Sequence, residues 1–141
     1  MGDAIGVDLG TTYTAAAVAR AGDADAVEIV ELGTRTASVP SLVYLCDDGS
    51  VLTGEAAERR GADDPSRLAR DVKRRMGDTT AVLLGGSPLS VDALMARQLA
   101  SVVATITERR GSAPTTIAIT HPANWGSYKL DLLRQAVSRA D

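Results

Sequence analysis

The stretch Gly6-Val7-Asp8-Leu9-Gly10-Thr11-Thr12-Tyr13 decides how this chain is read. Ala4 to Leu9 has the alternation of a buried strand, with Ile5, Val7 and Leu9 on one face and the small Ala4 and Gly6 on the other. A second, alanine-rich run follows from Tyr13 to Arg20, so the Gly-Thr-Thr segment is the turn between two strands. Asp8 projects a carboxylate at the strand end, where it can order metal-bound waters. Gly10 lets the backbone approach a ligand closely. Thr11 and Thr12 offer hydroxyls, and a turn offers backbone N–H groups to anionic oxygens. The same residues also suit an ordinary hairpin turn. The common nucleotide signatures are missing: no glycine-rich loop ends in Gly-Lys-Ser/Thr, and no Gly-x-Gly-x-x-Gly follows a strand.

Working outward, Ala21, Gly22, Asp23 and Ala24 form a turn cluster. A third strand runs from about Ala26 to Leu32 and completes an antiparallel meander. Gly33 to Pro40 is a loop. Ser41 to Cys46 is a strand that turns at Asp47-Asp48-Gly49 and returns as Val51 to Thr53. Gly54 to Arg60 reads as a short helix, broken at Asp63-Asp64-Pro65. A second helix is expected from Pro65 to about Met76, ending at Gly77. Ala81 to Leu84 is a short strand before a turn at Gly85-Gly86. Ser90 suits the N-cap of the longest helix, Val91 to Arg110, which Gly111 ends. Its apolar positions Val91, Leu94, Met95, Leu99, Val102 and Ile106 follow helical spacing. Thr115 to Thr120 is a strand with Ile117 and Ile119 inward. Ser127 to Ala140 is a last helix, with Leu130, Leu133, Val137 and Ala140 on one side and Lys129, Arg134 and Arg139 on the other. This order predicts an α/β or α+β fold with a mixed sheet.

The 141 residues are enough for one domain with a hydrophobic core. Phe is absent and aromatics make up 3%, so the core must come from Ala, Val, Leu and Ile. A net charge of −3, with neither a basic face nor stacking aromatics, argues against a nucleic-acid partner. The arginines between Arg67 and Arg75 read as a solvated helix face. The single cysteine, Cys46, lies in an apolar run as a small core residue, excludes an intrachain disulfide and fits a reducing, cytoplasmic compartment. No signal peptide, acylation signal or membrane-length apolar run is seen, so no membrane contact is expected.

Several stretches resemble one family, in that family's order. Asp8-Leu9-Gly10-Thr11-Thr12-Tyr13 is similar to the first phosphate loop of the actin/sugar-kinase/heat-shock-chaperone superfamily. Gly33-Thr34-Arg35-Thr36-Ala37-Ser38-Val39-Pro40-Ser41 resembles the Gly-Asn-Arg-Thr-Thr-Pro-Ser loop of the heat-shock ATPases. Gly54-Glu55-Ala56-Ala57 resembles their Gly-x-x-Ala segment, and Asp71-Val72-Lys73-Arg74-Arg75-Met76-Gly77 their Lys-Arg-Leu-Ile-Gly helix end. Thr120-His121-Pro122-Ala123, with Leu132 to Arg139, resembles their Val-Pro-Ala stretch and following helix. The chain thus resembles the N-terminal part, lobe I, of the nucleotide-binding domain of a DnaK-like 70-kilodalton heat-shock protein of divergent bacterial type.

The resemblance implies a ribonuclease H-like, actin-like ATPase fold, with residues 1–39 and 112–141 as a core subdomain and 40–111 inserted. It implies ATP or ADP and Mg2+ as cofactors. Asp8 would organise the magnesium through water. Gly10, Thr11, Thr12 and Tyr13 would bind phosphates, with Asp8, Thr12 and Lys73 serving hydrolysis and Lys73 approaching the γ-phosphate. Client polypeptides and co-chaperones are the implied partners. His121 departs from the family's usual Val and Asn124-Trp125 from an aromatic pair; His121 reads as structural and Trp125 as a packing residue. The family's second phosphate loop and adenosine-binding segment would lie beyond Asp141. The 141 residues are therefore expected to bind ATP poorly and hydrolyse it negligibly, since losing ~4 kcal/mol of contacts weakens binding about a thousandfold. Two alternatives stand beside this reading. One is a sugar or metabolite kinase of the same superfamily, against which the Lys73 segment and the Thr36 to Ser41 loop speak. The other is a non-catalytic interaction module.

Overall fold

The structure, a computed structural model, describes residues 2–20, 22–23 and 25–140, the side chains of residues 139 and 140 excepted. Ala21 and Ala24 of the expected turn, and the side chains of Arg139 and Ala140 on the last helix, lie outside the described residues.

In chain order the strands are β1 (Ala4–Leu9), β2 (Tyr13–Ala19), β3 (Val27–Val30), β4 (Val39–Pro40), β5 (Val43–Leu45) and β6 (Val51–Thr53). Helix α1 (Gly54–Asp63) follows, then β7 (Leu68–Ala69), β8 (Val82–Leu84), β9 (Ser87–Leu89), helix α2 (Val91–Arg110), β10 (Thr116–Ile119) and helix α3 (Ser127–Ala140). The principal sheet is open and mixed, in the order β10-β1-β2-β3, with β4 pairing the start of β2. The meander β1-β2-β3 is antiparallel, and β10 joins β1 in parallel, Val7 opposite Ile119. A second sheet has the order β6-β5-β7, and β8-β9 is a hairpin. The architecture is therefore mixed α/β, as the sequence predicts.

Strand alternation sorts the residues of the principal sheet. Ile5, Val7 and Leu9 of β1, with Ala16 and Val18 of β2, are buried in one cluster with Leu94, Met95, Leu99, Val102 and Ile106 of α2 and Leu133 and Ala136 of α3. The opposite face carries small residues at Gly6, Ala15, Ala17 and Ala118. A smaller cluster, Leu42, Tyr44, Ala57 and Leu68, lies where β5 meets α1 and β7. Met76, Met95 and Tyr44 thus join the aliphatic residues in filling the interior. Cys46 is half-buried beside the smaller cluster. At the β5–β6 turn Gly49 takes φ 87°, and the Ser50 amide and hydroxyl both donate to Asp48, at 2.9 and 2.6 Å. Those bonds, the hydroxyl's first, hold the Asp48 carboxyl below the usual carboxylate range.

The expected helix from Pro65 to Met76 does not form. Pro65–Arg67 is a single 3-10 turn, capped by Asp64, whose carboxylate accepts from the Ser66 amide and hydroxyl. The chain then extends, and Leu68 and Ala69 pair with Tyr44 and Val43 as β7. Asp71 adopts φ 53°, a left-handed conformation that stops helix propagation, and Val72–Arg75 forms a second 3-10 turn. Burial of Leu68 and Ala69 through a strand pairing outweighs the local helix preference of this arginine-rich run. Arg67 is also not a solvated side chain. It donates to the Leu45 carbonyl at 3.2 Å and pairs with Asp47 at 3.0 Å and Asp64 at 3.5 Å.

Helix α2 forms as its caps dictate. The Ser90 hydroxyl accepts from the Ala93 amide at 3.3 Å, and Gly111 closes the helix at φ 80° with its amide on Thr107. Ser90→Ala is expected to cost about 1 kcal/mol, read as a lower urea midpoint with an unchanged slope.

Candidate functional site

The turn after β1 is built by a close backbone approach. A Cβ on Gly10 would collide with the carbonyl oxygen of Tyr13, so only glycine fits without displacing the start of β2. The turn is fastened from two sides. On one side the Ser41 amide donates to the Thr12 carbonyl at 2.8 Å, while Tyr13 and Thr14 pair with Pro40 and Val39. On the other side β10 runs on past Ile119. The Thr120 amide donates to the Val7 carbonyl at 3.1 Å, and its hydroxyl donates to the Asp8 carboxylate at 2.8 Å. Asp8 is exposed at the entry to the turn, with one carboxylate oxygen oriented by that hydroxyl.

Thr11, Thr12 and Tyr13 form one wall of a cleft of about 220 Å3. The facing wall includes Glu58 of α1 together with Arg70 and Asp71, which follow β7. The cleft thus joins the turn's hydroxyls and amides with one cation and two carboxylates. Asp8 does not share it. Its carboxylate borders a shallow hollow on the small-residue face of the principal sheet, beside Thr120, Gly6 and Ala15. The loop between β3 and β4 is held by its own turn, Gly33 amide to Thr36 carbonyl at 3.0 Å, and by Glu55, which accepts from the Thr34 amide at 2.9 Å.

The sequence-predicted residues are therefore brought together in part. Gly10, Thr11, Thr12 and Tyr13 form one turn with Asp8 at its entry. Lys73 lies two residues beyond Asp71 in the second 3-10 turn, half-buried, and is not in the cleft wall. His121 is exposed, with Nδ1 3.0 Å from the Pro122 carbonyl and its ring stacked on Trp125 at 6.4 Å. Trp125 packs against the main core, and the Lys129 ammonium lies 5.9 Å from the centre of its ring. Sequence reasoning passed over Thr120, Ser41, Glu58 and Arg70. For Thr120 the signal was available: parallel pairing of β10 with β1 sets it beside Asp8.

A mixed α/β fold with a glycine-dependent turn between its first two strands is the class of protein that fold and site define. Residues 4–84 match the family model described as Hsp70 protein. That span is more than half of the chain, and the chain belongs to the Hsp70 family. The match covers the turn, the Gly33–Ser41 loop and the Lys73 segment, and ends before α2, β10 and α3. Among the described residues no helix is long and apolar enough to cross a membrane.

Proposed function

We propose that this chain is the first lobe of the nucleotide-binding domain of a DnaK-like ATPase, in which the turn Gly10–Tyr13 holds the phosphates of ATP or ADP. The carrying observation is the close approach at Gly10, in a turn fixed by Ser41 on one side and adjoined by the Thr120–Asp8 bond on the other. A turn held this way presents amides and the Thr11 and Thr12 hydroxyls without reorganisation, which suits oxygens carrying charge. Among the described residues no group of three or more acidic, histidine or cysteine side chains could hold a metal. Magnesium, which keeps several waters and binds through one or two carboxylates plus phosphate, fits Asp8 as a ligand through water. Bound there, it would neutralise phosphate charge. In this reading Lys73 stabilises charge developing at the γ-phosphate, with Asp8 and Thr12 as its companions in hydrolysis.

The reading extends to an actin-like, ribonuclease H-like ATPase fold, with residues 1–39 and 112–141 as the core subdomain and 40–111 inserted. Strands β1, β2, β3 and β10 of the principal sheet lie in the first set, β4 straddles the boundary at Val39–Pro40, and β5-β6-β7, β8-β9 and α2 lie in the second. A cytoplasmic setting, clients and co-chaperones belong to the same proposal.

The test is an NMR titration of labelled protein with MgATP to about 10 mM, which detects binding as weak as ~3 kcal/mol. Shifts centred on Gly10 to Tyr13 are expected, smaller when EDTA removes the magnesium. Asp8→Asn should abolish that magnesium-dependent increment and leave the metal-free shifts in place. Absence of shifts at the turn, or their concentration elsewhere, would overturn the proposal.

A further inference from the structure

Among the described residues Arg70 is the one cation lining the cleft that faces Thr11, Thr12 and Tyr13, and the other charged groups there are the carboxylates of Glu58 and Asp71. Its place follows from strand pairing. Ala69 lies opposite Val43 and Leu68 opposite Tyr44, so the same register carried one residue further sets Arg70 across from Leu42. Leu42 follows Ser41, whose amide holds the Thr12 carbonyl at 2.8 Å. Ser41, Leu42 and Ala69 are all buried, so the backbone that carries Arg70 is fixed relative to the turn. The Arg70 side chain itself is exposed and, among the described residues, makes no hydrogen bond or ion pair. Arg67, three positions earlier, is by contrast engaged by the Leu45 carbonyl, Asp47 and Asp64. Beyond Arg70 the chain bends at Asp71, φ 53°, and buries Val72 in the main core, and Lys73 falls outside the cleft wall.

Two carboxylates beside the turn would by themselves repel a phosphate, since like charges a few ångströms apart oppose binding even in water. Arg70 offsets them. A guanidinium also presents a planar fork that meets two phosphate oxygens at once, where an ammonium acts as a point charge. An arginine held by no carboxylate keeps that fork open to a ligand. We propose that Arg70 grips the phosphate tail of the bound nucleotide and makes this cleft accept an anion, while Glu58 opposes the binding. The proposal rests on the reading of the Gly10–Tyr13 turn as a phosphate clamp and adds a binding residue to it. It leaves Lys73 its part in hydrolysis.

The same MgATP titration, run on the parent protein and on Arg70→Gln, Arg74→Gln and Glu58→Gln, tests it. Arg74 is exposed in the second 3-10 turn and outside the cleft wall, so its variant loses an equal charge at a neighbouring place. Arg70→Gln should weaken binding roughly five- to tenfold, read from the shifts at Gly10 to Tyr13, with an unchanged urea midpoint. Arg74→Gln should stay within about twofold of the parent, and Glu58→Gln should bind about two- to threefold more tightly. Parent-like binding by Arg70→Gln, or equal weakening in Arg70→Gln and Arg74→Gln, overturns the role of Arg70 and leaves the phosphate reading of the turn intact. Absence of shifts at the turn in the parent defeats that reading, and this inference with it. If Arg70→Gln does not fold, Glu58→Gln decides, and unchanged or weaker binding by it refutes the proposed balance of charge.

Discussion

Leu99→Ala should lower the free energy of unfolding by about 3–4 kcal/mol. Leu99 is 1% exposed and sits mid-way along α2, in the cluster that also holds the inward residues of β1 and β2. Without Phe, the interior depends on branched aliphatic side chains interlocking, and removing three carbons from its middle leaves a void that rigid neighbours fill only partly. Domains have only about 5–15 kcal/mol in total, so this single change takes a large fraction of the stability. Leu83, in the middle of β8 opposite Pro88 and 65% exposed, is the matching control: Leu83→Ala should shift stability by less than about 0.5 kcal/mol. Urea unfolding followed by circular dichroism checks both, and comparable midpoints for the two variants would refute the assignment of the core.

Gly10→Ala carries the second large effect, expected to be at least about 2 kcal/mol in stability together with loss of any MgATP-induced shifts at the turn. The added methyl meets a backbone oxygen, not the yielding end of a side chain. That oxygen belongs to Tyr13, which pairs with Pro40, and the preceding carbonyl is held by Ser41. Relief therefore requires the start of β2 to move against two strands. Gly6, two residues before Asp8, has open space where its Cβ would stand. Gly6→Ala is accordingly predicted to be neutral or slightly stabilising, through the unfolded chain's lost freedom. A Gly10→Ala protein with parental midpoint and parental titration shifts would show that the close approach is dispensable.

The elements legible in the sequence are those whose cause is local. Alternation in Ala4–Leu9, the Asp48–Gly49 turn and the Ser90 and Gly111 ends of α2 each follow from a few neighbouring residues, and each is found where expected. The Pro65–Met76 stretch fails for the opposite reason. Its helix-favouring arginines hide two buried residues whose strand partners, Val43 and Tyr44, lie about twenty-five positions earlier, and Asp71 adopts a conformation that residue type rarely requires. The site divides in the same way. Gly10, Thr11 and Thr12 declare a tight turn by themselves. Thr120 and Arg70 reach it only through pairing between distant segments, which a linear reading does not display. Lys73 stands between these cases. The resemblance singles it out, but its place in a 3-10 turn was not visible from residue preferences.

The position of β1 has a kinetic corollary. It precedes every other described strand, yet one of its two neighbours, β10, begins at Thr116. At about 5–20 residues per second, a nascent chain would wait some five to twenty seconds with that edge of β1 unmatched. Ladders closed over such sequence distances also nucleate slowly. The emerging meander is thus a template open to strands from other polypeptides, and its refolding yield should fall with concentration.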